Sequence, residues 1–207
     1  MKGVAILSGG LDSTVSLAVA VRKMEVVLAL TFDYGQRAAK REREASARIA
    51  KRYRVPHRVI ETPWLAALTP TALVNRRAKL PRHEMSERSA KAVWVPNRNG
   101  CFIEIAAAHA ESRGAARLST GFNREEAATF PDNSKAYVGA VNRALSYSTA
   151  NGVHVVSFTI DLDKKAIVRL GRRLGAPLEH IWPCYEGGKK WCGSCESCLR
   201  SLRALDA

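Results

Sequence analysis

The sequence has no long hydrophobic segment. Its longest apolar stretch, residues 26–32, is far shorter than the roughly 20 residues that a membrane-spanning helix needs. The N-terminus shows neither the extended apolar region nor the small-residue cleavage site of a signal peptide. Internal repeats and low-complexity tracts are also absent. We therefore expect a cytoplasmic protein without membrane association, and 207 residues suit one domain with a small appendage.

Two common nucleotide-binding signatures are missing as well. No Gly-Lys-Ser/Thr follows a glycine-rich loop at the spacing of a Walker A motif, and the GxGxxG of dinucleotide-binding proteins does not occur. Neither a Ser-His-Asp set nor a glutaminase-like nucleophile is recognisable.

Acidic residues are few relative to basic ones. The chain has 33 Lys and Arg against 19 Asp and Glu, a formal net charge of +14, which attracts nucleotides or nucleic acids. Much of the excess lies in residues 36–54, where helical spacing and the interleaved Glu42 and Glu44 favour an exposed helix face with i,i+4 pairing. We therefore expect nucleic acid not to be a partner, although a zinc-containing nucleic-acid-binding module stays an alternative.

Short apolar strands alternate with amphipathic helices. Because the first two strands are apolar on both faces, the pattern predicts an α/β fold: a Rossmann-like parallel five-stranded sheet with helices on both faces. The predicted strands cover residues 2–8, 25–33, 56–61, 117–121 and 153–160, and the predicted helices cover residues 13–24, 36–53, 98–113, 134–150 and 163–174. Asp12 or Ser13 is expected to cap the first helix and Asp163 the last. Residues 62–94 show no period, so we expect a long loop there, with 63–94 as a mobile lid.

The first chemical signal is SGGLDS, residues 8–13, directly after the first strand. Gly9 and Gly10 let the backbone turn sharply and approach an anion, and the N–H groups that begin the next helix attract phosphate. Neighbouring hydroxyls add donors, and Asp12 is available to hold magnesium or to orient the loop. The alternative is an ordinary glycine-rich turn between a strand and a helix.

SGGLDS resembles the PP-loop of the ATP-pyrophosphatase superfamily, whose members cleave ATP between the α- and β-phosphates. The resemblance implies that the loop binds the leaving pyrophosphate and that Asp12 and Ser13 act in catalysis. It also implies that the segment FDYGQ after the second strand completes the nucleotide pocket. The implied ATP-binding residues are Leu7, Ser8, Gly9, Gly10, Leu11, Asp12, Ser13, Thr14, Val15, Ser16, Leu17, Phe32 and Gln36.

Cysteine is scarce but clustered. Of five cysteines, four lie within fifteen residues of one another, at Cys184, Cys192, Cys195 and Cys198. Four thiolates with glycines between them suit a structural, tetrahedral zinc ion, whereas an iron–sulfur cluster and metal-free thiols are alternatives. Cys101 is expected to be a small buried hydrophobe. The sequence thus predicts an α/β domain over residues 1–180 and a zinc-binding segment over 181–207.

With both signals present, the chain resembles the 7-cyano-7-deazaguanine synthase family of queuosine biosynthesis. The blocks that carry the resemblance are AILSGGLDSTV, TFDYGQR, VPNRN, IDLDKKAIVRLGRRLGAPLEHIWPCYEG and CGSCESCLRSLRAL. It implies a homodimer that uses ATP and magnesium to convert 7-carboxy-7-deazaguanine and ammonia, through an adenylated carboxylate and an amide, to the nitrile. The implied substrate-binding residues are Arg98, Asn123, Phe130 and Asp132, and Lys164 and Arg98 are expected to contact phosphate or carboxylate groups.

One segment departs from the family pattern. Where family members usually carry G-V-N-x-x-D-Y-S-G-Y-P-D-C, residues 121–133 read GFNREEAATFPDN. Phe130 can still stack on a deazapurine, and Glu126 or Asp132 can accept hydrogen bonds from it. Either this is a variant of the same pocket or the substrate differs. The second case favours another PP-loop adenylating ligase, a deazaguanine paralogue with a different amine acceptor or a tRNA-modifying thiolase, for which Cys101 is the available thiol.

Overall fold

The fold is a single parallel sheet with helices on both faces. The computed structural model describes residues 1–206, apart from the side chain of Glu87. Five strands in these residues pair in the order β3-β2-β1-β4-β5, all parallel. They are β1 (Lys2–Ile6), β2 (Glu25–Asp33), β3 (His57–Glu61), β4 (Arg117–Thr120) and β5 (His154–Ser157). The strand order reverses between β1 and β4, where open α/β sheets form a ligand-binding crevice.

The described residues form nine α-helices, of which the sequence predicts five; the other four are not predicted, and two of them lie within residues 62–94, where the sequence predicts a loop. The helices are α1 (Leu11–Lys23), α2 (Ala39–Arg52), α3 (Trp64–Ala67), α4 (Glu87–Ala92), α5 (Arg98–Glu111), α6 (Arg124–Ala127), α7 (Lys135–Ser148), α8 (Lys164–Leu174) and α9 (Glu196–Leu205). None of the described helices is long and apolar enough to cross a membrane. The predicted α/β architecture is confirmed.

Successive side chains of the strands supply two separate cores. On one face Val4 and Leu30 pack with α5, α7 and the segment before α5. On the other face Ala5 and Ala29 pack with α1, α2, α8 and α9. Because side chains of a strand alternate between faces, a strand buried on both faces reads as a continuous apolar run.

Several predicted boundaries need correction. The first helix begins at Leu11, after an extended Gly10 that makes no side-chain cap, so neither Asp12 nor Ser13 caps it. The last strand ends at Ser157 rather than at residue 160 because the chain turns there. Asp163 does cap α8, accepting a hydrogen bond from the Ala166 N–H at 2.8 Å.

The expectation for residues 36–54 is partly wrong. The ion pair on this helix joins Arg41 to Glu44 at i,i+3, with a 3.0 Å separation, rather than at i,i+4. Glu42 does not belong to the exposed face and instead lines the main cavity. Helical periodicity places a residue on a face but does not show which face an adjacent loop covers.

Candidate active site

The loop after β1 is a tight turn that leaves backbone N–H groups available. Gly9 has φ +78°, and a Cβ there would lie 2.9 Å from the Glu42 carbonyl oxygen, so a side chain is excluded by both strain and space. The Ser8 N–H donates to Ser13 Oγ at 3.2 Å, and Thr14 Oγ1 donates to the Gly10 carbonyl at 2.7 Å. The start of α1 therefore offers the geometry of an anion-binding turn.

A cavity of about 250 Å³ opens at the reversal point of the sheet. The loop after β1 forms one wall, and the loop after β4 packs directly against it, because a Cβ on Gly121 would lie 2.6 Å from Ser13 N. Side chains from the end of β2, from α5 and from the C-terminal segment complete the lining. The general rule for ligand sites in open α/β sheets therefore holds here.

Three charged side chains meet beside this loop. Lys164 Nζ lies 2.5 Å from both Asp12 Oδ2 and Glu126 Oε1, and the lysine is 4% exposed. Burial would lower the pKa of Lys164, but the two carboxylates more than offset this and raise it. Burial also raises the pKa of Asp12 to about 6, against the opposing charge of Lys164. The ammonium is thus fixed where it can neutralise an anion held by the loop.

Not every predicted ATP-binding residue reaches the cavity. Those that line it are Leu7, Ser8, Gly10, Leu11, Asp12, Ser13, Phe32 and Gln36. Val15 and Leu17 are buried in the second core, and Ser16 Oγ donates to the Thr120 carbonyl at 2.6 Å. Gly9 and Thr14 do not line the cavity, and they stabilise the turn through the positive φ of Gly9 and the hydrogen bond from Thr14 to the Gly10 carbonyl. Side chains of one helix point in different directions, so a continuous run of contacts to one ligand is not formed.

The predicted substrate-binding residues also separate. Arg98, Phe130 and Asp132 line the cavity. Asn123 is fully buried and caps α6, accepting from the Glu126 N–H at 2.9 Å, so it shapes the loop after β4 instead. Glu126, expected to accept from a base, is engaged by Lys164. The divergent segment therefore contributes to the charge cluster of the phosphate loop.

Several lining residues escape prediction from the sequence. Trp94 lies parallel to Phe130, with ring centroids 6.2 Å apart and an interplanar angle of 10°. Glu42 lines the same cavity from α2, and Tyr185 and Glu196 line it from the C-terminal segment. A signal for Glu42 exists in hindsight, since its helix follows the FDYGQ segment directly.

The four predicted metal ligands converge. The sulfur atoms of Cys184, Cys192, Cys195 and Cys198 all lie within 4.8 Å of one another. Hydrogen bonds from Cys195 and Cys198 lower the pKa of the Cys184 thiol, which favours a thiolate at this position. The cluster is therefore able to hold a metal ion. Cys101 lies apart from it, partly buried on α5 against the first core.

The cysteine segment is also part of the cavity wall. The backbone N–H of Trp182 donates to the Gly9 carbonyl at 2.7 Å. Arg200 on α9 lies 2.8 Å from Glu196 and 3.0 Å from Glu125, whose other oxygen accepts from the backbone N–H of Lys164 at 3.1 Å. Folding of this segment is thus coupled to the loop and to Lys164.

The fold and the site define a PP-loop α/β enzyme, a class that the sequence comparisons narrow to one family. A family model described as "Queuosine biosynthesis protein QueC" matches residues 2–207, and the chain belongs to this family. It is 54% identical to a 7-cyano-7-deazaguanine synthase of Pelotomaculum thermopropionicum, over 99% of this chain and 96% of that one. It is also 56% identical to a protein of Carboxydothermus hydrogenoformans with the same name, over 98% of this chain and 97% of that one.

Solved structures resemble the chain in fold. The NMN synthetase of Francisella tularensis superposes with a TM-score of 0.52 at 17% identity, covering 94% of this chain and 69% of that one. The NH3-dependent NAD synthetase of Campylobacter jejuni gives 0.51 at 17% identity, covering 87% and 66%. At these identities the likeness supports the shared α/β architecture alone.

Proposed function

We propose that this protein uses ATP to convert 7-carboxy-7-deazaguanine and ammonia to 7-cyano-7-deazaguanine. The observation that carries the proposal is the single cavity where the SGGLDS turn, the Gly121 loop and the cysteine segment meet. The family membership and the names of the relatives support it.

The chemistry needs positioning and charge neutralisation more than a protein nucleophile. A substrate carboxylate oxygen attacks the α-phosphorus of ATP and pyrophosphate leaves. Ammonia then displaces AMP to give the amide, whose oxygen is adenylated by a second ATP before AMP departs and leaves the nitrile. The N–H groups at the start of α1 hold the leaving pyrophosphate, and Lys164 neutralises charge beside it.

Magnesium fits the Asp12 position. Asp12 Oδ1 is buried and has no hydrogen-bond partner among the described residues, which suits a cation ligand. Bound there, magnesium would reduce the charge on the phosphate oxygens. Ser13 would orient the loop through its hydrogen bonds to Ser8.

The substrate ring is proposed to lie beside Phe130 and Trp94. Their parallel planes offer stacking surfaces for a flat heterocycle, and Asp132 accepts from its N–H groups. Arg98, which donates to the Tyr34 hydroxyl at 3.2 Å, would attract the substrate carboxylate. Phe130→Ala should therefore raise the KM for the acid more than the KM for ATP.

Zinc is the metal that we propose for the cysteine cluster. Zinc–sulfur bonds of about 2.3 Å place tetrahedral sulfurs roughly 3.8 Å apart, close to the 4.0 Å between Cys192 and Cys198 Sγ. An iron–sulfur cluster places iron and sulfide atoms between its thiolates and needs wider spacing. Four thiolates leave no open position, so zinc would fold the segment and take no part in catalysis.

A second candidate is a paralogous ligase that stops at an amide or uses another amine. The departure of residues 124–130 from the family pattern favours it. A thiolase is disfavoured by the position of Cys101, which does not line the cavity.

The cysteines form no disulfides among the described residues, which supports the cytoplasm as the location of the protein. We also propose that the protein is a homodimer, and light scattering after gel filtration is the test.

The proposal is tested by incubating the protein with ATP, magnesium, ammonium and 7-carboxy-7-deazaguanine, followed by mass spectrometry. We expect the nitrile and two AMP per nitrile. Asp12→Ala should abolish AMP release. Absence of AMP and nitrile would reject the proposal, and amide without nitrile would establish the second candidate.

A further inference from the structure

Glu42 is a cavity carboxylate without a role in the chemistry above. It lies in the first turn of α2, and its backbone carbonyl packs against Gly9 of the phosphate loop. Gln36 fixes one carboxylate oxygen: its Nε2 donates to Glu42 Oε2 at 2.7 Å and to the Phe32 carbonyl at 3.1 Å. Gln36 itself is held because its Oε1 accepts from the Tyr34 N–H at 2.9 Å.

The other carboxylate oxygen is free to act. Among the described residues no group donates a hydrogen bond to Glu42 Oε1 or forms an ion pair with Glu42, and the side chain lines the cavity. A carboxylate held through one oxygen and open through the other is oriented for proton transfer.

The other acidic residues of the cavity either pair with a cation or accept hydrogen bonds on both carboxylate oxygens. Asp12 and Glu126 share Lys164, and Glu196 pairs with Arg200 at 2.8 Å. Asp132 accepts from Asn99 at 2.8 Å and from Asn133 at 3.0 Å, one amide on each oxygen. Within the described residues, Glu42 is therefore the cavity carboxylate that combines an open oxygen with the absence of a paired cation, and it is best placed to take a proton from a bound reactant.

The surroundings of Glu42 also suit the gain and loss of a proton near neutral pH. Burial raises its pKa from 4.5 to about 7, against the hydrogen bond from Gln36 and the charge of Arg98 on α5. Asp33 at the end of β2 raises the pKa further. The remaining ionisable neighbour is the Tyr34 hydroxyl, whose own pKa is raised by burial, so it stays neutral.

We propose that Glu42 is the general base for nitrogen in the proposed function, and the assignment rests on that function. In the first half-reaction the ammonia lone pair attacks the adenylated carboxyl carbon, and the carbon–nitrogen bond forms. The bond to the AMP oxygen breaks with its electron pair on AMP, and a nitrogen proton passes to Glu42 Oε1. In the second, the adenylated amide loses both nitrogen protons in turn to this carboxylate, which returns the first to solvent before accepting the next, and AMP leaves as the triple bond forms.

The test compares the unmodified protein with Glu42→Gln and with Glu44→Gln. Glu44 lies on the same helix outside the cavity, so it is the matched control. Adenylation is measured without ammonia, as the exchange of labelled pyrophosphate into ATP that requires 7-carboxy-7-deazaguanine. Amide and nitrile formation are then followed by mass spectrometry from pH 6 to 9, at a constant concentration of free ammonia.

We expect Glu42→Gln to exchange pyrophosphate at nearly the unmodified rate but to form amide at least roughly 100-fold more slowly. The unmodified protein and Glu44→Gln should show an amide-forming rate that rises through about pH 7, and Glu42→Gln should lack this rise. An unchanged amide rate, an unchanged pH profile or a parallel loss of exchange would overturn the assignment. If the unmodified protein exchanges pyrophosphate with no acid or forms no amide, the proposed function itself fails.

Discussion

At the scale of single residues, Lys164 carries the electrostatics of the phosphate loop. It is buried and balances two carboxylates, one on the loop and one on the divergent segment. Lys164→Gln leaves Asp12 and Glu126 facing each other without a cation, and removing one partner from a buried pair costs roughly 3–5 kcal/mol. We expect a loss of this size in the unfolding free energy, measured with urea, and a loss of pyrophosphate exchange.

The neighbouring Lys165 provides the control for this prediction. It is exposed on the same helix, so Lys165→Gln should change neither quantity appreciably. Equal stability of the two variants would show that Lys164 is not the counter-ion that the structure indicates.

Glu42 gives a stability prediction independent of catalysis. Its pKa is raised in the folded state, so between pH 4.5 and about 7 the native state holds a proton that the unfolded chain releases. Stability therefore falls as pH rises through this window, by about 3 kcal/mol at 1.36 kcal/mol per pKa unit. Glu42→Gln carries no such penalty, so its advantage in urea unfolding should be small at pH 5 and about 3 kcal/mol at pH 8. An advantage that does not depend on pH would contradict the burial of Glu42.

The role of a residue can be predicted from the sequence where the chemistry requires a fixed spacing or residue type. The four cysteines and the Asp163 cap follow from spacing and capping preference alone. The pairing of Lys164 with Glu126 cannot be predicted in this way, because 38 residues separate them and no local pattern links the two. For the same reason the sequence assigns Glu42 to an exposed helix face, whereas it lines the cavity.

At the scale of structural elements, the contact between the loops after β1 and β4 determines the shape of the site. Gly121→Ala would place a methyl group 2.6 Å from Ser13 N, against backbone that cannot turn aside. We expect a lower melting temperature and weaker ATP binding, measured by calorimetry. Gly139 is the matched control: it is exposed within α7 and a Cβ there meets nothing within 4 Å. Gly139→Ala should raise the free energy of unfolding by about 0.5–1 kcal/mol. Equal effects of the two substitutions would show that the loops do not approach closely at Gly121.

The cysteine segment is expected to support the cavity through its metal ion. Removing its metal with a chelator should lower the melting temperature and abolish ATP turnover together, because α9 supplies Arg200 and Glu196 to the cavity wall. The measurement pairs metal analysis with calorimetry and AMP release, with re-addition of zinc as the control. Full turnover by the metal-free protein would show that the segment is independent of the site.

The order of strands and helices could be read from alternating apolar runs, but their ends could not. The predicted start of α2 at residue 36 is three residues early, because Gln36 turns inward to Glu42 before the helix begins at Ala39. The helix α9 begins directly after Cys195 and contains the ligand Cys198, so its sequence reads as part of the metal segment. Tertiary contacts set such boundaries.

At the scale of the whole molecule, one cavity combines parts that are far apart in sequence. The turn at residues 8–13, the loop at 121–133 and the segment after Cys184 meet at the reversal point of the sheet. The division into residues 1–180 and 181–207 stays a prediction, although the second part contributes directly to the site of the first. The sequence indicated which segments carry chemistry, whereas their common cavity depends on the strand order.

In the proposed reaction both carboxylate oxygens of the substrate leave on AMP. The decisive measurement uses 7-carboxy-7-deazaguanine labelled with oxygen-18 at both carboxylate positions, in unlabelled water. We expect two AMP per nitrile, each with one oxygen-18, and unlabelled pyrophosphate. Label in pyrophosphate or in inorganic phosphate, or unlabelled AMP, would contradict the proposed reaction.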